Sequence, residues 1–179
     1  MKKSEVAKLV TVTQTLWPNW RAPDNETGFA LAVETWGVIL EDVPEVLALA
    51  ALHSLATSGR EFAPPVGLIR LEALQLVSRA DGTAAPDVDV AWGEVQRAAS
   101  HRGYMAGEPG WTHQAISNAV FALGWRDICQ STNPEALRAH FFRIYGTAAT
   151  RAERERNMPP SVIAIAQAQI GHRMPELDS

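Results

Sequence analysis

Apolar residues recur at three- and four-residue spacing along nearly the whole chain, the pattern of amphipathic helices. Ser4 is the expected cap of a first helix whose apolar face is Val6, Leu9, Val10, Thr13 and Leu16. Pro18 and Pro23 stop it, which leaves Trp17 and Trp20 in the connection. Asn25 or Thr27 starts a second helix with Phe29, Ala30, Val33, Trp36, Gly37 and Leu40 inward, Gly37 permitting close approach of a neighbouring helix. Asp42-Val43-Pro44-Glu45 is a further start signal: an aspartate cap, a proline in the first turn and a glutamate at the third position. Val46, Leu47, Ala50, His53 and Leu55 are expected on the inner face of that third helix, which ends at Ser58-Gly59. Pro64 and Pro65 open a fourth helix carrying Leu68, Ile69, Leu71, Leu74, Leu76 and Val77.

Small residues, Gly82 and Pro86 make the stretch from Asp81 to Pro86 a linker between strongly periodic segments. Beyond it, Val88, Ala91, Trp92, Val95, Ala98 and Ala99 mark a fifth helix ending near His101, and the glycine-rich stretch from Arg102 to Gly110 reads as a loop. A sixth helix, Ile116 to Leu123, stops at Gly124. Trp125 to Cys129 looks like the end of a helical unit. Asn133-Pro134-Glu135 starts a seventh helix with Leu137, Phe141, Ile144 and Tyr145 inward, running on through Arg151–Arg156 as a solvated helix until Pro159-Pro160 breaks it. Val162 to Ile170 forms a short closing helix, and the last residues look frayed. No strand alternation or fixed-period repeat occurs. The expectation is an all-α fold of two small helical units: a four-helix unit over 1–80, a second domain over 87–157 with an arginine-rich last helix, and a short helix and tail over 158–179.

Composition changes this picture little. With 179 residues, 46% hydrophobic and 20% charged, the chain has enough mass for a core and the balance of an ordinary globular protein. No apolar run approaches a membrane span, and the residues after Lys2 and Lys3 form an amphipathic segment instead of a secretory core, so a cytoplasmic protein with no membrane contact is expected. The net charge of −4 supplies no global field for nucleic acid, but five arginines oppose two glutamates between Arg138 and Arg156.

Chemistry is sparse. The only lysines are Lys2, Lys3 and Lys8, none following a glycine, so no phosphate-binding loop with its lysine exists. Cys129 is the single cysteine, which excludes an internal disulfide and a cysteine-built zinc site; a buried thiol is expected there. None of His53, His101, His113, His140 and His172 has tight metal-ligand spacing; His53 falls near an apolar face, and His101 and His113 flank the glycine-rich loop. The carboxylate pairs Asp87/Asp89 and Glu41/Asp42 lie at helix starts, where capping accounts for them. No catalytic residue, metal or cofactor is expected, and the protein reads as a non-enzyme. The residues expected to bind a partner are Arg138, Arg143, Arg151, Arg154 and Arg156, which suit an acidic surface or phosphates, together with Trp111 beside a loop and Trp20.

Residues 4 to about 79 resemble the amino-terminal domain of the phage replicative-helicase loader/inhibitor family. The resemblance lies in the aromatic-proline step Trp17-Pro18, the central Trp36 before an acidic turn at Asp42, the helix with His53, and Phe62-Ala63-Pro64-Pro65 leading into Ile69. The second half, with Ala91-Trp92-Gly93-Glu94-Val95, Gly124-Trp125 and Arg138-Ala139-His140-Phe141 to Tyr145, is similar to the carboxy-terminal part of phage replication proteins of this size. In the family that part is shorter, poorly ordered and implicated in contacting the helicase, whereas here it reads as folded helices. The resemblance implies a small adaptor without ATPase activity that binds the hexameric DnaB-type replicative helicase, inhibits it, and hands it to an origin-bound initiator protein, with weak or indirect DNA contact. Two other readings remain: a DNA-binding replication or transcription factor using the arginine-rich helix, and a phage inhibitor of another host protein.

Overall fold

The computed structural model describes residues 1–173, and within them every regular element is a helix. In chain order these are α1 (Lys3–Leu16), α2 (Glu26–Ile39), α3 (Glu45–Thr57), α4 (Val66–Asp81), α5 (Val88–Arg102), α6 (Gln114–Leu123), α7 (Trp125–Gln130), α8 (Pro134–Arg156) and α9 (Pro160–Arg173), with one 3-10 turn at Tyr104–Ala106. The expected all-α fold is what the chain adopts. The described chain divides into two compact units, one comprising Met1–Gly82 with the described residues from Asn157 onward, the other Thr83–Arg156. The closing helix thus groups with the first unit; the frayed end expected for the last residues falls outside the described residues.

The first unit packs α1 to α4 around one core. Val6, Leu9 and Val10 of α1 meet Val33 and Trp36 of α2, Ala48, Ala51, Leu52 and Leu55 of α3, and Ile69 and Ala73 of α4. Thr13 is fully buried and bonds back to the Leu9 carbonyl at 2.8 Å, which satisfies its hydroxyl inside the helix. Trp17 closes the end of α1: its ring is buried and its Nε1 donates to the Arg60 carbonyl at 3.0 Å, tying the aromatic-proline step to the loop before α4. Gly37 lies where α1 and α2 pack, but a Cβ there would meet Val6 only at 4.0 Å, so the approach does not depend on glycine.

Four further expectations for this unit are corrected. Ser4 does not cap α1; the Lys2 amide donates to the Glu5 carboxylate at 2.7 Å, and Ser4 lies inside the first turn. Asp42 does not cap α3, which starts after Pro44 with no side-chain cap, because its carboxylate is bound by Arg70. Glu41 does not cap α3 either: its Oε1 accepts from the Ser161 amide at 2.6 Å, in the first turn of α9. The phase of α3 also differs. Val46, Ala50 and His53 are exposed, and Ala48, Ala51 and Leu52 take the core positions beside Leu55. Its sequence, Glu45-Val46-Leu47-Ala48-Leu49-Ala50-Ala51-Leu52, is apolar nearly all round, so periodicity alone does not choose a face.

Arg70 is the most buried charge of the unit, at 1% exposure. Its guanidinium forms a two-pronged ion pair with Asp42, and it donates to the carbonyls of Ile39 at 3.0 Å, Asn157 at 2.8 Å and Met158 at 3.4 Å. A buried cation is tolerated only when its donors are satisfied in this way. The cluster joins α4, the end of α2 and the segment leading into α9.

The second unit buries Ala91, Trp92 and Val95 of α5, Ala115, Ile116, Ala119 and Val120 of α6, Ile128 of α7 and Phe141 and Tyr145 of α8. Phe141 lies at its centre, with ring centroids 5.2 Å from Trp92 and 5.5 Å from Tyr145. Asp87 caps α5 by accepting from the Asp89 amide at 2.9 Å, and Asn133 caps α8 through the Ala136 amide at 3.1 Å. Gly124, at φ +83°, turns the chain between α6 and α7; a side chain there would be strained and would press on the Asp127 carboxylate. The segment Trp125–Gln130 is therefore a short helix of its own. Cys129 is half-buried within it, and burial pushes its thiol pKa up.

Tyr145 gives this unit a pH dependence. Its hydroxyl donates to the Pro86 carbonyl at 2.6 Å, and burial, with the negative charges of Asp87 and Glu94, pushes its pKa up to about 12. An unfolded tyrosine titrates near 10, so the stabilising contribution of the neutral phenol is complete below that pH and is lost as pH rises towards 12. Stability of the second unit is expected to fall between about pH 10 and 12, and Tyr145→Phe is expected to remove that part of the alkaline loss. Denaturant unfolding of both forms across this range checks it; an identical alkaline loss in Tyr145→Phe would contradict it.

Candidate partner-binding face

The arginines of α8 separate into distinct roles. Arg138 is engaged near the start of the helix: it donates to Asp89 at 2.6 Å and lies over the Phe142 ring, 4.8 Å from its centroid. Arg156, at the other end, is close enough to His113 to lower the histidine's pKa, an effect to which burial contributes more. Between these ends, Arg143, Thr147, Arg151 and Glu155 follow one another at four-residue steps and form one row along the helix. Ile144, Ala148 and Ala152 form the adjacent row. Ile144 and Ala148 are half-buried against the core, so this row is the floor and the arginine row the rim.

The facing wall comes from α6. Its buried residues Ala115, Ile116, Ala119 and Val120 hold it against α8, and Gln114, Asn118 and Phe121 turn to the same side. Together the two helices line an open groove of about 740 Å³. Phe121 stands at its edge with 85% of its surface exposed. Arg143 and Arg151 also border a neighbouring depression of about 620 Å³ that includes Thr150 and Arg154.

The charge on this face is only partly compensated. Arg151 Nε donates to Glu155 at 2.9 Å, an exposed helical pair worth only a few tenths of a kcal/mol. Among the described residues, Arg143 and Arg154 have no ion pair and no side-chain hydrogen bond. Eight basic residues balance eight acidic ones over positions 83–156, so the excess is local to α8.

Of the seven expected partner-binding residues, the groove brings together Arg143 and Arg151, with Arg154 alongside. Trp111 is half-buried, edge-on to Trp125 at 5.8 Å, and its Nε1 donates to Glu108 at 2.6 Å. Trp20 packs on Trp36 at 6.1 Å in the first unit. Sequence reasoning passed over Phe121, although the signal was present: Ile116, Ala119, Val120 and Leu123 set one helical face, and residue 121 lies off it. A second exposed apolar surface lies on α9, where Val162, Ile165 and Ile170 are exposed and no charged residue occurs between Ser161 and Gly171.

Little else invites chemistry. His113 Nδ1 accepts from the Ala115 amide at 3.0 Å and so caps α6, while the His101 ring bonds to the Arg97 carbonyl. Among the described residues no three metal-ligating side chains cluster, and no helix is long and apolar enough to cross a membrane. Comparison with protein-family models, curated proteins and solved structures finds no match to this chain.

Proposed function

We propose that the protein is an adaptor of phage DNA replication that works without catalysis, binding the hexameric DnaB-type replicative helicase, inhibiting it, and delivering it to an origin-bound initiator. The groove between α6 and α8 is the docking face in this reading. The observation that carries it is the juxtaposition of unpaired Arg143, the Arg151 rim and the exposed Phe121 ring, the aromatic-plus-arginine composition of protein-binding sites. The helicase is proposed as the partner because the sequence of residues 4 to about 79 resembles helicase loader/inhibitors.

Titration of the protein into the helicase is expected to suppress both ATP hydrolysis and single-strand binding. Arg143→Glu is expected to raise the concentration needed by about tenfold, since a charge facing a partner is worth on the order of 1.4 kcal/mol. Unchanged helicase activity at saturating adaptor would reject the reading.

A further inference from the structure

We infer that the α6–α8 groove accepts an acidic amphipathic helix of the partner protein, about three turns long. The inference rests on the groove being the docking face. Three features specify the occupant. The first is the floor: Ile144, Ala148 and Ala152 form a continuous apolar row, two of whose three members are alanine, so a helix backbone can come close. A phosphate backbone gains nothing from such a surface, whereas the apolar stripe of an amphipathic helix is buried by it.

The second feature is the charged rim. Arg143 is unpaired among the described residues, and Arg151 is held only by its exposed pair with Glu155. Carboxylates spaced at eight residues on an incoming helix match the guanidinium groups of Arg143 and Arg151, spaced at eight residues on α8. Glu155 ends the row with the opposite charge. It disfavours an acidic residue at that end and thereby selects one register and direction of the bound helix, a repulsive contribution to specificity.

The third feature is Phe121 on the opposite wall. Its exposed ring offers apolar contact at the edge of the groove to a side chain of the incoming helix. The rim from Arg143 to Glu155 extends about 18 Å at helical rise, which sets the length of the bound segment at roughly twelve residues.

The test uses the full chain and three fluorescent probes in anisotropy titrations: a 14-residue peptide with leucine and glutamate at helical spacing, the same peptide with lysine for glutamate, and a 15-nucleotide thymidine single strand. The acidic peptide is expected to bind at least about tenfold more tightly than either other probe. Arg143→Glu and Phe121→Ser are each expected to weaken it by about tenfold. Both positions are exposed, so circular dichroism and melting should be unchanged. Absence of acidic-peptide binding, or peptide binding indifferent to both substitutions, overturns the inference. Tighter binding of the thymidine strand overturns it in favour of a nucleic-acid site. The helicase is not present in this assay, so a groove that binds the acidic peptide while the helicase remains unaffected separates failure of the adaptor reading from failure of this one.

Discussion

Arg70→Ala is expected to destabilise the first unit by about 3–5 kcal/mol, the usual cost of breaking a buried ion pair. The substitution leaves a cavity, takes the counter-ion from the partly exposed Asp42 carboxylate, and removes the donors to the carbonyls of Ile39, Asn157 and Met158. Because two of those carbonyls precede α9, hydrogen exchange in 157–170 should accelerate more than in α1, which the cluster does not touch. Asp42→Ala leaves the Arg70 guanidinium buried with no counter-ion, so it is expected to cost a similar amount, about 3–5 kcal/mol.

The same pair gives the unit an acid limit. The Arg70 hydrogen bond, against a smaller opposing effect of burial, holds the Asp42 carboxyl below its ordinary value of 3.8. A depressed folded pKa means that the contribution is present above the unfolded value and disappears as pH falls through the folded one. Acid loss of stability should therefore be steepest below about pH 4, and Arg70→Ala should flatten it. Peptide-resolved hydrogen exchange with denaturant titration at several pH values measures both effects. A loss below about 1 kcal/mol, with no change in acid dependence, would contradict the role assigned to Arg70.

Phe141→Ala is the second large effect, expected at about 3–5 kcal/mol in the second unit. The ring is fully buried between Trp92 and Tyr145, so truncation leaves a cavity that the rigid neighbours close only partly. Domain stabilities lie at roughly 5–15 kcal/mol, so the second unit should lose most of its margin, and the α5–α8 amides should exchange far sooner. The first unit has its own core and should retain its protection. Uniform loss of protection across the chain, or none, would contradict this division.

Local chemistry made most helix boundaries legible. Asn25, Asp87 and Asn133 cap α2, α5 and α8 because each side chain reaches an amide two or three residues on, and that spacing is visible in the sequence. Long-range partners were not legible. The Asp42 carboxylate goes to an arginine 28 residues away, and Glu41 to an amide 120 residues away, so both looked like caps of the helix beside them. The inner face of α3 was hidden because its sequence is apolar in nearly every direction. For the candidate face, the charge excess on α8 pointed to Arg138, Arg143, Arg151, Arg154 and Arg156 together, and only packing shows that Arg138 is occupied by Asp89 and that α6 places Phe121 opposite the rim formed by Arg143 and Arg151.

The measurement that tests the central claim most directly is size-exclusion chromatography with light scattering of the protein mixed with its cognate replicative helicase and ATP. The adaptor account predicts a stable co-eluting complex that Arg143→Glu weakens without altering the fold. Separate elution of the two proteins at micromolar concentration would contradict it.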